Sequence, residues 1–135
     1  MTETYKSILL VDDDLTLREM YNERLKAEGF VVETAKDGEE ALSKAQDIKP
    51  NIILLDIMMP KINGLDVLKK LKQGAETKDI PVIVLTALIQ DREKMESITR
   101  GADEYIVKSE MMPGDVIEKI KKLLENPKKA AEPKE

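Results

Sequence analysis

Five times along this chain a short, mostly apolar run is followed by a longer stretch whose apolar positions recur at helical spacing. The runs are Ser7–Val11, Phe30–Ala35, Ile52–Leu55, Ile80–Leu85 and Glu104–Val107. Runs this short and this continuous suit strands buried on both faces of a sheet. The stretches after them read as helices: Leu15 to the stop at Gly29, Glu39–Gln46, Leu65–Leu71 ending near Gly74, Asp91–Arg100 closed by Gly101, and Asp115–Leu124. Phe30–Ala35 carries Glu33 and Thr34 and is the least uniformly apolar of the early runs, which places it nearer a sheet edge. Strand–helix alternation of this kind predicts an α/β fold, a parallel (βα)5 sheet with helices on both faces and right-handed crossovers. A closed eight-stranded barrel needs about 250 residues, so a chain of 135 is expected to form an open, doubly wound sheet. Residues 1–125 are expected to form one domain, and the Pro-punctuated residues 126–135 a flexible polar tail.

In an open α/β sheet, ligands bind outside the carboxyl ends of the strands. Here those ends carry Asp12-Asp13-Asp14, then Asp56, then Thr86, then Lys108-Ser109. Carboxylates gathered at one edge repel: two unit charges ~4 Å apart cost about 4 kcal/mol at an effective dielectric near 20. They are tolerated when they diverge into water, when one is protonated, or when a cation sits among them. There is no Cys and no His, which excludes thiolate and imidazole metal sites and phosphohistidine on this chain. Oxygen donors alone point to Mg²⁺, Mn²⁺ or Ca²⁺, and Mg²⁺ suits two or three protein oxygens completed by water and phosphate. A carboxylate beside such an ion, with a lysine opposite and a hydroxyl adjacent, can accept a phosphoryl group as in-line nucleophile. Asp56 stands alone at the end of the most apolar strand and is the natural nucleophile.

Taken singly, each of these residues has a plainer explanation. Asp14 reads as the N-cap or first-turn acid of the first helix. Thr86 suits a strand end, Lys108 a solvated surface position, Tyr105 a half-buried strand, and Met58-Met59 apolar packing. It is their joint placement at four strand ends that singles them out.

In ILLVDDD (8–14), NIILLDIMMPKINGLDVLKKLK (51–72), PVIVLTAL (81–88) and GADEYIVKSE (101–110) the chain resembles the receiver domain of two-component response regulators, over residues ~6–125. The resemblance implies a flavodoxin-like sheet of order 2-1-3-4-5. It implies Asp56 as phosphoacceptor, with Lys108 and Thr86 assisting. Mg²⁺, replaceable by Mn²⁺, would be held by Asp12, Asp13, Asp56 and the Met58 backbone carbonyl. Thr86 and Tyr105 would form the switch. The expected phosphodonor is a sensor histidine kinase or a phosphotransfer protein. The output is a change in the surface of the fourth helix, fifth strand and fifth helix, including Arg92, Glu96, Tyr105, Glu118 and Lys122. That surface would serve binding of a downstream protein target or onward phosphorelay, by a monomer or a phosphorylation-dependent dimer. One departure stands out: Ser109 occupies the place where the family usually has Pro after the lysine, often through a cis bond. A cis bond before a non-proline costs about 2.5–4 kcal/mol, so Lys108–Ser109 is expected to be trans. Pro113 fits the first turn of the last helix.

Other classes fit less well. The formal net charge is −5, with three Tyr, one Phe and no Trp, which disfavours nucleic-acid binding. The apolar runs are too short to span a bilayer, and residues 1–6 lack a basic n-region, so a cytoplasmic protein without membrane insertion is expected. A flavin carrier would want a Gly-rich phosphate loop and more aromatics. A degenerate receiver serving as an unphosphorylated scaffold would not need Asp12, Asp13, Asp56, Thr86 and Lys108 together. No enzymatic output is expected, and a tail of about ten residues is too short to fold as an effector, which suggests a stand-alone regulator. Ile57, Met58 and Leu88 flank the site with apolar side chains and offer no base to an attacking water, so the acyl phosphate should be long-lived.

Overall fold

The computed structural model describes residues 6–57, 59, 62–87 and 100–125. Five parallel strands, β1 (Ser7–Val11), β2 (Val31–Ala35), β3 (Ile52–Leu55), β4 (Val82–Thr86) and β5 (Glu104–Val107), form one sheet of order β2-β1-β3-β4-β5. The helices among the described residues are α1 (Leu15–Ala27), α2 (Gly38–Ile48), α3 (Gly64–Gln73) and α4 (Pro113–Glu125), the last being the fifth helix of the sequence reading. Residues 91–99 of the helix expected over 91–100, and the polar tail, lie outside the described residues.

The strands are buried as their composition requires. Every residue of β3 and β4 is buried, whereas β2 and β5, at the two edges, are only partly so. Successive strand residues point to opposite faces and feed two cores. Leu9, Val11, Ile53, Leu55, Val82 and Val84 pack with Ala41 and Ala45 of α2 and Val67, Leu68 and Leu71 of α3. Ile8, Leu10, Ile52, Leu54, Ile83 and Leu85 pack with Tyr21 and Leu25 of α1 and Val116, Ile117 and Ile120 of α4. The sheet is thus doubly wound, with α2 and α3 on one side and α1 and α4 on the other.

Capping chemistry sets the boundaries. The Asp14 side chain accepts the Leu17 N–H at 3.1 Å and starts α1. Gly29, at φ 99°, follows the end of α1, and Phe30 still donates its N–H to the Leu25 carbonyl. That bond holds Phe30 in the helix cap, so β2 begins one residue later than the apolar run suggests. Asp37 caps α2 through the Glu40 N–H at 2.9 Å, which starts that helix at Gly38. The Pro81 carbonyl accepts from Ile53, but proline has no N–H to give, so β4 starts at Val82. Pro113 is the first residue of α4, where a missing N–H costs nothing. Leu15, counted among the apolar positions of α1, is 56% exposed.

At the amino end of β4 and β5, Asp103 accepts the Val82 N–H at 2.8 Å and lies 3.7 Å from Lys72, which itself donates to the Ile80 carbonyl. Burial raises the Asp103 carboxyl above the ordinary range, against the opposing pull of the Val82 N–H and the Lys72 ammonium. A carboxyl with a raised folded pKa favours the folded state most below its ordinary value of about 3.9, and that advantage is lost as pH rises through the raised value. Urea unfolding of Asp103→Asn alongside wild type, stepped upward from about pH 4, should therefore show wild type losing ground to the variant as pH rises. A difference independent of pH would contradict this.

Candidate functional site

Parallel strands end at the same edge, and here β1 and β3 carry carboxylates just past that edge. Asp12 is 3% exposed and Asp56 5%, while Asp13 beside them is exposed. Each buried acid is fixed through its backbone: the Asp12 N–H donates to Ala35 and the Asp56 N–H to Val11, both at 3.1 Å. One oxygen from each of Asp12, Asp13 and Asp56 lies within 4.8 Å of the others.

Lys108 closes the group. Its Nζ donates to Asp12 Oδ2 at 2.8 Å and Asp56 Oδ2 at 3.4 Å. Burial, the largest single influence, pushes the Lys108 ammonium down, but the two carboxylates together outweigh it and its pKa ends above the ordinary value. The departure at Ser109 leaves the ammonium aimed into the pocket. Lys108–Glu110 forms a 3₁₀ turn, and no cis peptide bond occurs among the described residues.

Thr86 ends β4 wholly buried, in register with Val107. Tyr105 is half-buried on β5 beside Val84, on the α2–α3 side of the sheet. Met58, Leu88, Arg92 and Glu96 lie outside the described residues, whereas Ile57 is buried and Glu118 and Lys122 are exposed on α4. Asp14, adjacent to the acids, caps α1 and also donates its N–H to Asp12 Oδ1 at 2.9 Å.

Two further contributors have roles at the site that their sequence positions do not reveal. Arg18 reaches back from α1 and donates Nη1 to the Asp12 carbonyl at 2.7 Å. Gly64 starts α3 against the chain leaving β3, its N–H donating to the Ile57 carbonyl at 2.9 Å. A Cβ on Gly64 would overlap the Asp56 carbonyl oxygen and Ile57 Cα, which are backbone and cannot swing aside. Gly64→Ala should therefore cost about 1–3 kcal/mol of stability in urea unfolding and displace the Asp56 backbone. An unchanged unfolding midpoint would show that α3 can retreat freely.

Three carboxylate oxygens are hard donors, and their closeness suits a hard cation. Fold and pocket together define an open α/β domain with an acidic, lysine-braced site at its strand carboxyl ends. Residues 8–121 match the family model of the response regulator receiver domain. The chain belongs to that family, the phosphorylated component of two-component systems, whose members hold Mg²⁺ at an acidic pocket. It is 37% identical over 129 residues to the probable transcriptional regulator ycf27 of Guillardia theta, covering 96% of this chain and 49% of that protein. It is 38% identical over 126 residues to the alkaline phosphatase synthesis transcriptional regulatory protein PhoP of Bacillus subtilis, covering 93% and 51%. The chain thus spans about half the length of these curated relatives. Among solved structures, it resembles a CheY-like receiver domain protein of Methanospirillum hungatei JF-1, with TM-score 0.87 and 32% identity over 93% of this chain and 98% of that one. It also resembles chemotaxis response regulator CheY4 of Vibrio cholerae, with TM-score 0.82 and 32% identity over 89% and 99%.

Proposed function

We propose that this chain accepts a phosphoryl group on Asp56 from a phosphohistidine of a sensor histidine kinase or phosphotransfer protein. The observation that carries this reading is the Lys108 ammonium lying between Asp12 and Asp56, with the Asp13 carboxylate in the same cluster. An Asp56 carboxylate oxygen attacks phosphorus in line. The P–O bond forms as the P–N bond breaks, and that electron pair leaves with the donor imidazole. Lys108 stays protonated through neutral pH and can follow the transferring oxygens. Asp12, Asp13, Asp56 and the Met58 carbonyl, the last outside the described residues, would hold Mg²⁺ or Mn²⁺. When bound, that ion neutralises charge on the phosphoryl oxygens and on the crowded carboxylates.

The product carries about two negative charges where one stood, and new acceptor oxygens. Thr86 and Lys108 are the donors at hand. A Thr86 hydroxyl drawn toward the phosphoryl group vacates space into which Tyr105 can follow, biasing an existing equilibrium of the domain. The surface of β5, α4 and the helix expected over 91–100, whose residues 91–99 lie outside the described ones, would then present a different shape to a downstream protein or to the next member of a relay.

The test is incubation with Mg²⁺ and a small acyl phosphate donor, followed by intact mass. One phosphoryl addition is expected, blocked by a chelator and released by hydroxylamine as an acyl phosphate is. No mass gain under saturating Mg²⁺ and donor would overturn the reading.

A further inference from the structure

We propose that Arg18 is a positioning residue for the divalent-cation site, aiming Asp13 through the Asp12 carbonyl. This rests on the reading of Asp12, Asp13 and Asp56 as cation ligands. The three acids are held very differently. Asp12 has its N–H on Ala35, its Oδ1 on the Asp14 N–H and its Oδ2 on Lys108. Asp56 has its N–H on Val11 and its Oδ2 on Lys108. Asp13 is exposed and makes no hydrogen bond or ion pair among the described residues, yet its carboxylate belongs to the cluster.

With no side-chain partner among the described residues, Asp13 takes the direction of its backbone from the peptide plane that joins it to Asp12. The carbonyl of that plane is gripped by Arg18 Nη1 at 2.7 Å, across the amino end of α1. The choice of partner is informative. Asp13 and Asp14 are neighbouring carboxylates, but among the described residues Arg18 forms no ion pair with either and gives its bond to a neutral carbonyl. A guanidinium offers five donors in a rigid fork, and one anchored here fixes the peptide without occupying a carboxylate oxygen that a cation needs. Groups that orient metal ligands in this way change metal affinity by about 10–100-fold when removed.

Charge and positioning predict opposite signs, which makes the idea testable. Removing a positive charge bonded to the backbone of one of the three acids should by itself tighten cation binding. Losing the anchor should loosen it. Mn²⁺ affinity, measured by electron paramagnetic resonance on the full chain and checked with Mg²⁺ by calorimetric competition, should fall about tenfold or more in Arg18→Gln. Arg18→Lys, which keeps the charge and can still reach a carbonyl, should fall less. In an Asp13→Asn background, Arg18→Gln should bring little further loss, because the carboxylate it positions is gone. Arg18→Gln binding as tightly as wild type, or tighter, overturns the proposal while leaving the phosphoacceptor reading intact. A tenfold loss that persists in the Asp13→Asn background overturns the route through Asp13. Failure of the wild-type chain to take up either cation overturns both.

Discussion

Asp56→Asn is expected to abolish the phosphoryl mass gain entirely while leaving the fold at least as stable as before. The amide offers no anionic oxygen to attack phosphorus, so the loss of reaction is complete rather than partial. Stability follows from the charges around it. With cluster oxygens up to 4.8 Å apart, each carboxylate pair costs about 3.5 kcal/mol at an effective dielectric near 20. The attraction of Lys108 at 3.4 Å returns about 5 kcal/mol on the same scale. Of these interactions among the described residues, neutralising Asp56 relieves two repulsions and forfeits one attraction, and Lys108 keeps its shorter bond to Asp12. Urea unfolding without divalent cations should therefore give a midpoint equal to or above wild type. A variant that still gains a phosphoryl group would move the acceptor elsewhere.

Lys108→Met is expected to behave in the opposite way. It fills similar space with no charge and strands two nearly buried carboxylates, which costs about 3 kcal/mol or more in the absence of metal. Millimolar Mg²⁺ should recover much of that loss, because a ligand that binds only the folded state stabilises it. Phosphorylation should slow by about a hundredfold even with the metal site filled, since a donor to the transferring oxygens is gone. The pH dependence has a definite sign. The Lys108 pKa is raised in the folded state, so its stabilisation is complete below the ordinary lysine value of about 10.4 and is lost as pH climbs through the raised value. The gap between wild type and Lys108→Met should thus hold steady at neutral pH and close on the alkaline side. Equal stability of the two at pH 7 without metal would refute the bracing role.

The fold was legible because its information is local. Ile52–Leu55 and Val82–Thr86 are strands buried on both faces, and continuous apolar composition records that directly. Glu33 and Thr34 mark β2 as an edge for the same reason. The acids of the site were legible from their place after strands. What sequence pattern does not carry is how polar groups pair across the fold. Asp103 and Arg18 look like solvated charges in the chain, and only packing gives Asp103 its bond to Val82 and Arg18 its bond to Asp12. Lys108 alone reads as a surface lysine until β5 is laid beside β4. Gly64 reads as a turn residue, although its requirement is the Asp56 carbonyl pressing on it.

The contact between Lys108 and Asp12 spans 96 positions of sequence. Chains are synthesised from the amino terminus, so the acids emerge long before the ammonium that balances them. Loop closure over that span becomes favourable only once β3 and β4 lie between the partners. A half-made or partly unravelled molecule therefore presents mutually repelling carboxylates and no counterion. The lysine-braced form of the cluster arises only as the sheet is completed.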